Sequence, residues 1–441
     1  MMNTRRAFLR QAGTTGAAFA LISLKDDWGE FLARAQETAG GRGPEKLASQ
    51  ESFWFQIQQS YDVDRSMINL NNGGVAPSPR LVHDAMIRQL GLANHAPSRQ
   101  LWTIQDPQVE LVRKRLSRAF GCDAEELAVT RNASESLQIC LNGIDLEPGD
   151  EILTTTQDYP RMLSTISQRV LRDKIVMKQV TLPVPVQSDD EVVALFEKAI
   201  TPKTRMMLFC HIVNVTGEIL PVRRLCALAR ERGIWSIVDG AHAFAHFVYD
   251  GPSLGCDCYG TSLHKWLSAP IGTGFLYVRR ERIRDLWPLT AAVEPLSDNI
   301  RKFEEIGTHP TAPRLAIAEA ITFYEGIGPA RKEERLRYLR NYWADRLKQH
   351  DRIRIHTNLA PEHSCAIATV QIDGMDPYAL TSELWEKHKI LVTPIKHEDF
   401  EGIRVTPNTY TSIAELDMFV EAMEGMMKSQ NAKKSKRQRE K

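Results

Sequence analysis

Residues 206–239, MMLFCHIVNVTGEILPVRRLCALARERGIWSIVD, decide the fold class. Met206 to Val213 is an apolar run of strand length. Pro221 stands where a first helical position is expected, Leu225, Leu228 and Ala229 make an apolar stripe, and Gly233 ends the helix. Ile234 to Val238 is the next strand. Strand, helix, strand at this spacing is a βαβ unit, which requires a mostly parallel sheet with helices on its faces. Working outward, Leu127 to Thr130, Glu151 to Thr155 and Phe275 to Val278 are further strand candidates, and no repeat of about 20 to 50 residues interrupts them. One large α/β domain is therefore expected over 75–325, preceded by an arm at 36–74. Past Gly328-Pro329, the stripe Leu336, Leu339, Trp343 and Leu347 predicts an amphipathic helix. Ala366 to Ile372 then begins a strand-rich segment, and Ser412 and Glu415 have capping-box spacing. A smaller α+β domain over 326–427 follows.

The chain has 441 residues with 56 Lys plus Arg against 55 Asp plus Glu, 43% hydrophobic and 25% charged. Such a composition excludes disordered, collagen-like and membrane-bundle chains. It also argues against binding nucleic acid through bulk charge, which needs a surplus of Lys and Arg. The neutrality is a cancellation: residues 1–35 carry +2 and residues 428–441 carry +6, leaving −7 for the body between them. Seven cysteines, with no paired CxxC motifs, fit neither a disulfide framework nor a structural zinc site, and Cys256 and Cys258 are expected to be buried thiols.

The N-terminus reads as an address. Thr4-Arg5-Arg6-Ala7-Phe8-Leu9-Arg10 precedes an uncharged stretch from Gln11 to Leu24, and together they resemble a twin-arginine export signal, with Ala33-Arg34-Ala35 as a cleavage site. The stretch is too short and too weakly apolar for a stable membrane span. A periplasmic or otherwise exported protein, handled by the twin-arginine translocation machinery, is the expectation; a basic amphipathic N-terminus is the plainer alternative. Residues 428–441 read as a disordered basic tail.

Several catalytic motifs are missing. No GxGxxG follows a strand, Gly255 to Ser262 lacks the lysine of a Walker loop, and there is neither a GxSxG elbow nor an HExxH pair. No metal site is expected. What remains lies beyond the carboxyl ends of the expected strands, where open α/β sheets place their ligands. Asp239 directly follows a strand, and a carboxylate buried there needs a cation or a ligand to face it. Lys265 sits in Ser262-Leu263-His264-Lys265-Trp266, among apolar neighbours that would lower its pKa and free a nucleophilic amine. Alone, such a lysine is more often a surface residue; with a strand-end Asp it suits a cofactor whose aldehyde needs an amine and whose pyridinium needs an acid. Thr130 to Glu135, TRNASE, joins a strand to a helix start whose free amides could hold a phosphate, although simple capping by Asn132 explains the same residues.

In combination these segments resemble fold-type I pyridoxal phosphate enzymes of the class V aminotransferase group, most closely the isopenicillin N epimerase-like branch. The resemblance runs from about Asn69 to Met426, on NLNNGGVAPSP at 69–79, TRNASESL at 130–137, TTTQDYPRM at 154–162, HIVNVTGEILPV at 211–222, VDGAHA at 238–243, SLHKW at 262–266 and GTHP at 307–310. It implies a Schiff base on Lys265 and a protonated ring nitrogen held by Asp239. It places His242 and Asn214 near the phenolic oxygen, where related desulfurases carry Gln in place of His242. Tyr159 would stack on the ring, where they use His. The phosphate would be held by the amides of Ala133 and Ser134 with the side chains of Ser262 and His264, and by Thr308 from a neighbouring subunit, so a homodimer is implied. Arg404 matches the arginine that takes the substrate carboxylate, an ordinary surface ion pair being its alternative.

The implied activity is chemistry at Cα of an amino acid or amino-acid-like small molecule, epimerising, racemising or transaminating. β-Elimination is the alternative outcome. Cysteine desulfuration is disfavoured, because Thr393 to Gly402 holds no cysteine. An exported binding protein that kept the fold without catalysis is the alternative of another class.

Overall fold

The computed structural model describes residues 40–439. The expected export signal lies outside them, and side chains are described up to residue 428.

Seven strands make the central sheet: β1 (Leu127–Thr130), β2 (Glu151–Thr155), β3 (Val176–Val180), β4 (Thr204–Cys210), β5 (Trp235–Asp239), β6 (Cys258–Ser262) and β7 (Gly274–Val278). Their order is β1-β7-β6-β5-β4-β2-β3. All neighbours run parallel except β7, which is antiparallel to both β1 and β6. Helices α1 (Ala133–Gly143), α2 (Pro160–Asp173) and α3 (Val222–Glu231) are among those that cover the sheet. One core, including Val238, Leu225, Phe275 and Leu116, fills one face; another, including Leu137, Ile152, Met206 and Ile166, fills the other. This is the mixed, mostly parallel α/β architecture expected from the sequence.

The deciding stretch departs from its reading in two places. Strand β4 stops at Cys210 instead of continuing to Val213, because the backbone turns: the Val213 amide donates to the Glu218 carbonyl at 2.8 Å, and Ile212 bridges Ile219. Pro221 caps α3 from outside the helix, with a non-helical ψ of 62°. The turn carries Asn214 beyond the sheet edge. It is tied to the smaller domain by Thr369 Oγ1, which donates to the Val215 carbonyl at 2.6 Å. Gly217, at φ +83°, allows the close approach, since a Cβ there would lie 2.3 Å from the Ile367 carbonyl oxygen.

The smaller domain is an antiparallel sheet of β8 (Ile353–Ile355), β9 (Ala368–Ile372), β10 (Thr393–Lys396) and β11 (Glu401–Val405), ordered β10-β11-β9-β8. It packs on α4 (Pro329–Leu347) and α5 (Ile413–Arg439), with Trp343, Leu339, Phe419 and Val370 at its centre. Ser412 and Glu415 form the expected reciprocal cap on α5, and that helix continues through the basic stretch from 428. Ile68 and Leu70 join this core, and Ile68–Asn69 pairs in parallel with Ile390–Leu391, so the arm brings Asn71 to the mouth of the large sheet. Among the described residues, no helix is long and apolar enough to cross a membrane.

Gly240 is fixed by packing. A Cβ there would stand 2.0 Å from carbons of the buried Tyr259 ring, whose hydroxyl meets His211 Nδ1 at 3.1 Å and the Tyr249 hydroxyl at 2.7 Å. Gly240→Ala should therefore destabilise the protein by about 3 kcal/mol, read as a lowered urea midpoint, because the ring has no free space into which to move.

Candidate active site

The parallel strands deliver chemistry at their carboxyl ends. Asp239 is the last residue of β5 and is 6% exposed. Its Oδ1 accepts the Ala241 amide at 2.9 Å, and desolvation pushes its pKa up to about 6, opposed by that hydrogen bond and by Lys265. The carboxyl is thus mostly ionised at neutral pH, buried, and lacks an ion pair among the described residues. An acceptor of this kind fits a protonated ring nitrogen.

Lys265 follows β6 in a tight turn. Burial, against the opposing pull of Asp239 and with a smaller push from Arg404, lowers its pKa to about 8. Its Nζ lies 3.1 Å from His242 Nε2. About a tenth of the amine is then uncharged at pH 7, the form that attacks a carbonyl or accepts a proton.

Arg404, on β11, is a buried charge without a counter-charge among the described residues. Nη1 donates to the Asn214 carbonyl at 3.0 Å, Nη2 donates to Asn71 Oδ1 at 3.1 Å and Thr393 Oγ1 at 3.4 Å, and Nε has no partner. All three acceptors are neutral. Burial lowers the guanidinium pKa to about 10, which still leaves it charged. A buried cation held only by neutral acceptors is costly until an anion arrives, and a carboxylate suits its planar fork.

The phosphate cradle also has the chemistry it needs. Helix α1 starts at Ala133, whose amide donates to Ser262 Oγ at 2.9 Å, and Ser134 follows in the first turn. Asn132 caps the helix by accepting the Glu135 amide at 2.8 Å. The Glu135 carboxylate does not return to the Asn132 amide but takes the Arg131 amide at 2.6 Å and its guanidinium. β7 runs close beneath: a Cβ on Gly274 would sit 2.7 Å from the Asn132 Cα. His264 Nδ1 and Asn214 Oδ1 are buried without partners, so both are free to bind a ligand. Two orphaned polar atoms, Asn214 Oδ1 and His264 Nδ1, therefore sit among the residues expected to hold pyridoxal phosphate, a third, Arg404 Nε, belongs to the expected substrate arginine, and the donor set fits the cofactor.

Tyr159 stands just before the first residue of α2 and bears electrostatically on Arg404. Its loop is braced by the buried Asp158 carboxylate, which accepts from Thr154 Oγ1 at 2.6 Å, the Thr155 amide at 2.8 Å and the Cys210 amide at 3.0 Å. Thr308 is exposed in the single chain. The seven cysteines are all free; Cys256, Cys258 and Cys365 are buried, and the last meets the His246 and Glu333 carbonyls. Residues without an assigned role in the sequence also enter the site. Asn71 and Thr393 orient Arg404, with Thr393 Oγ1 donating to Asn71 Oδ1 at 2.6 Å. Trp266 contacts His242, its Nε1 lying 3.4 Å from Nδ1. The NLNNGG and SLHKW motifs contained Asn71 and Trp266, and Thr393 opens the stretch to Gly402, but neither spacing nor composition indicated what these residues touch.

A profile of the family described as Aminotransferase class-V matches residues 68–394. The chain is 31% identical over 397 residues to Isopenicillin N epimerase of Amycolatopsis lactamdurans, covering 85% of this chain and 99% of that protein. It is 30% identical to the Streptomyces clavuligerus protein of the same name, covering 85% and 98%. In three dimensions it is similar to a cysteine desulfurase of Escherichia coli, with a TM-score of 0.74 at 20% identity over 85% of this chain and 98% of that one.

Proposed function

Because this chain belongs to the aminotransferase class-V family, we propose that it is a pyridoxal-phosphate-dependent enzyme that inverts configuration at Cα of an amino acid or amino-acid-like substrate. The observation that carries the reading is Arg404, a buried guanidinium without a counter-charge that acts electrostatically on the buried amine of Lys265. Epimerisation is favoured over transamination because the relatives at 31% and 30% identity over 397 residues are named for it.

Pyridoxal 5′-phosphate, when bound, supplies the aldehyde that takes an amine and the ring that accepts electrons from Cα. The chain supplies the rest. Ala133, Ser134, Ser262 and His264 would hold the phosphate, and Asp239 would keep the ring nitrogen protonated. Asn214 and His242 would bind the phenolic oxygen while Tyr159 covers the ring. Arg404 fixes the substrate carboxylate, and the uncharged Lys265 Nζ takes the α-proton. Desulfuration is not supported: Thr393 to Gly402 lacks a cysteine, and Cys365 is buried against backbone carbonyls.

The deciding experiment incubates holoenzyme with a panel of amino acids in deuterated water. Deuterium at Cα with loss of optical purity is the expected outcome. A keto acid would instead assign transamination or elimination, and no exchange with any substrate would favour a non-catalytic binding protein. A homodimer in which Thr308 reaches the neighbouring phosphate, and export by the twin-arginine route, belong to the same proposal. Arg5→Lys with Arg6→Lys should retain the protein in the cytoplasm, as read by cell fractionation; unaltered export would refute the address.

A further inference from the structure

The two neighbours of His242 dictate its tautomer. Trp266 Nε1 lies 3.4 Å from His242 Nδ1, and an indole N–H can only donate, so Nδ1 is the bare nitrogen. The ring is buried and neutral: desolvation, with Lys265, Arg404 and His246, drives its pKa well below the usual value. Its one proton therefore sits on Nε2, the nitrogen 3.1 Å from Lys265 Nζ. We propose that Trp266 is a positioning residue that locks His242 as the Nε2–H tautomer and thereby reserves Lys265 as an uncharged, proton-accepting amine.

The chemistry follows from donor counting. An ammonium has only N–H groups to offer and would set a donor against a donor at this distance, whereas an uncharged amine presents its lone pair to the Nε2–H. Of the other groups that act on Lys265, Asp239 and Cys210 favour the charged form, while Arg404 disfavours it and His264 is itself depressed by the lysine. His242 is the one that reaches hydrogen-bonding distance, so its tautomer has a direct say in the proton's position.

The lock is built, because the indole cannot readily turn. Trp266 is fully buried and stacks on His246, with ring centres 3.6 Å apart and planes at 11°. His246 is oriented in turn: its Nδ1–H donates to the His242 carbonyl at 2.7 Å, and its Nε2 accepts the Ala366 amide at 2.9 Å. The Trp266 carbonyl accepts from Lys332 Nζ of α4. Ala366 and Lys332 lie beyond the central sheet, so packing of the smaller domain reaches the reacting amine through a stacked pair.

This inference rests on Lys265 as the reacting amine, and its test is run on the cofactor-free full chain to keep the two claims separable. Long-range nitrogen–proton correlation on histidine-labelled protein, with His242→Gln for assignment, should find Nε2 protonated and Nδ1 bare. A protonated Nδ1 in the unmutated protein overturns the proposal without any variant having to fold. In Trp266→Phe, which keeps an aromatic ring but no donor, the second tautomer should appear. The pH midpoint for acetylation of Lys265, followed by mass spectrometry, should rise by about one unit, a roughly tenfold loss of reactive amine below it. An unmoved midpoint with an altered tautomer would remove the link to Lys265. Failure of the cofactor to attach to Lys265 would refute the enzymatic reading while leaving the tautomer result intact.

Discussion

Lys265→Ala should lower kcat/KM by at least about 10³-fold, because one side chain carries two roles. In the proposed reaction it both joins the cofactor, fixing the aldehyde's position, and takes the α-proton as general base, a role alone worth about 10² to 10⁴. The size of the effect follows from the surroundings. Burial brings the amine's pKa to about 8, and His242 Nε2 is its hydrogen-bonding neighbour at 3.1 Å. Among the described residues, no second amine is placed to substitute. Lys332 is also buried, with a pKa lowered to about 7 by desolvation, but it is committed to the Trp266 carbonyl. Steady-state kinetics measures the loss, and added small amines should restore part of the proton transfer. A variant retaining a tenth of the activity would assign the proton to another group. The cofactor-free variant should also gain stability at neutral pH. The folded lysine pKa is depressed, so the charged form opposes folding below about pH 8 and that penalty fades as pH rises toward the unfolded value.

Arg404→Ala should cost about 10² to 10³ in kcat/KM, mostly as a higher KM. Truncating one member of a buried, hydrogen-bonded charge pair costs about 2–5 kcal/mol, and about 1.4 kcal/mol is a factor of ten. The contact with the carboxylate exists in ground state and transition state alike, which is why KM carries the change. Arg404→Lys should recover only part, since a point charge cannot reproduce a fork held by Asn214, Asn71 and Thr393. Cofactor capture should remain in both variants. Amino acid titrations followed by absorbance provide the check, and unchanged titration in Arg404→Ala would take the residue out of the site.

The parts of the fold that were legible in the sequence share one property: their buried residues are apolar and consecutive. β4 and β5 show it, and α3 between them has its stripe. β3 does not, because Val176–Val180 reads VMKQV and is half-exposed at the sheet edge. β6 is missed for the opposite reason. It is buried throughout, yet it reads CYGTS because α1 presses on it so closely that a Cβ on Gly260 would lie 2.9 Å from Ser136 Cβ. Small polar residues demanded by close packing look like a loop.

The site divides in the same way. Asp239 and Lys265 could be suspected from position and neighbours, and family resemblance supplied their partners. The contacts that tune them could not be read, because they join distant segments: Asn71 meets Arg404 across 333 residues. Trp266 adjoins Lys265 in sequence, but its role depends on His242, 24 residues earlier, and on a ring stacked against it.

The central claim is that Lys265 is the residue that holds pyridoxal phosphate. Borohydride reduction of the full-length protein after incubation with the cofactor, followed by peptide mass spectrometry, tests it most directly. The account predicts the added pyridoxyl phosphate mass on the peptide containing Lys265, and its absence from Lys265→Ala. Attachment to Lys332 or to another lysine, or no attachment at all, would contradict it.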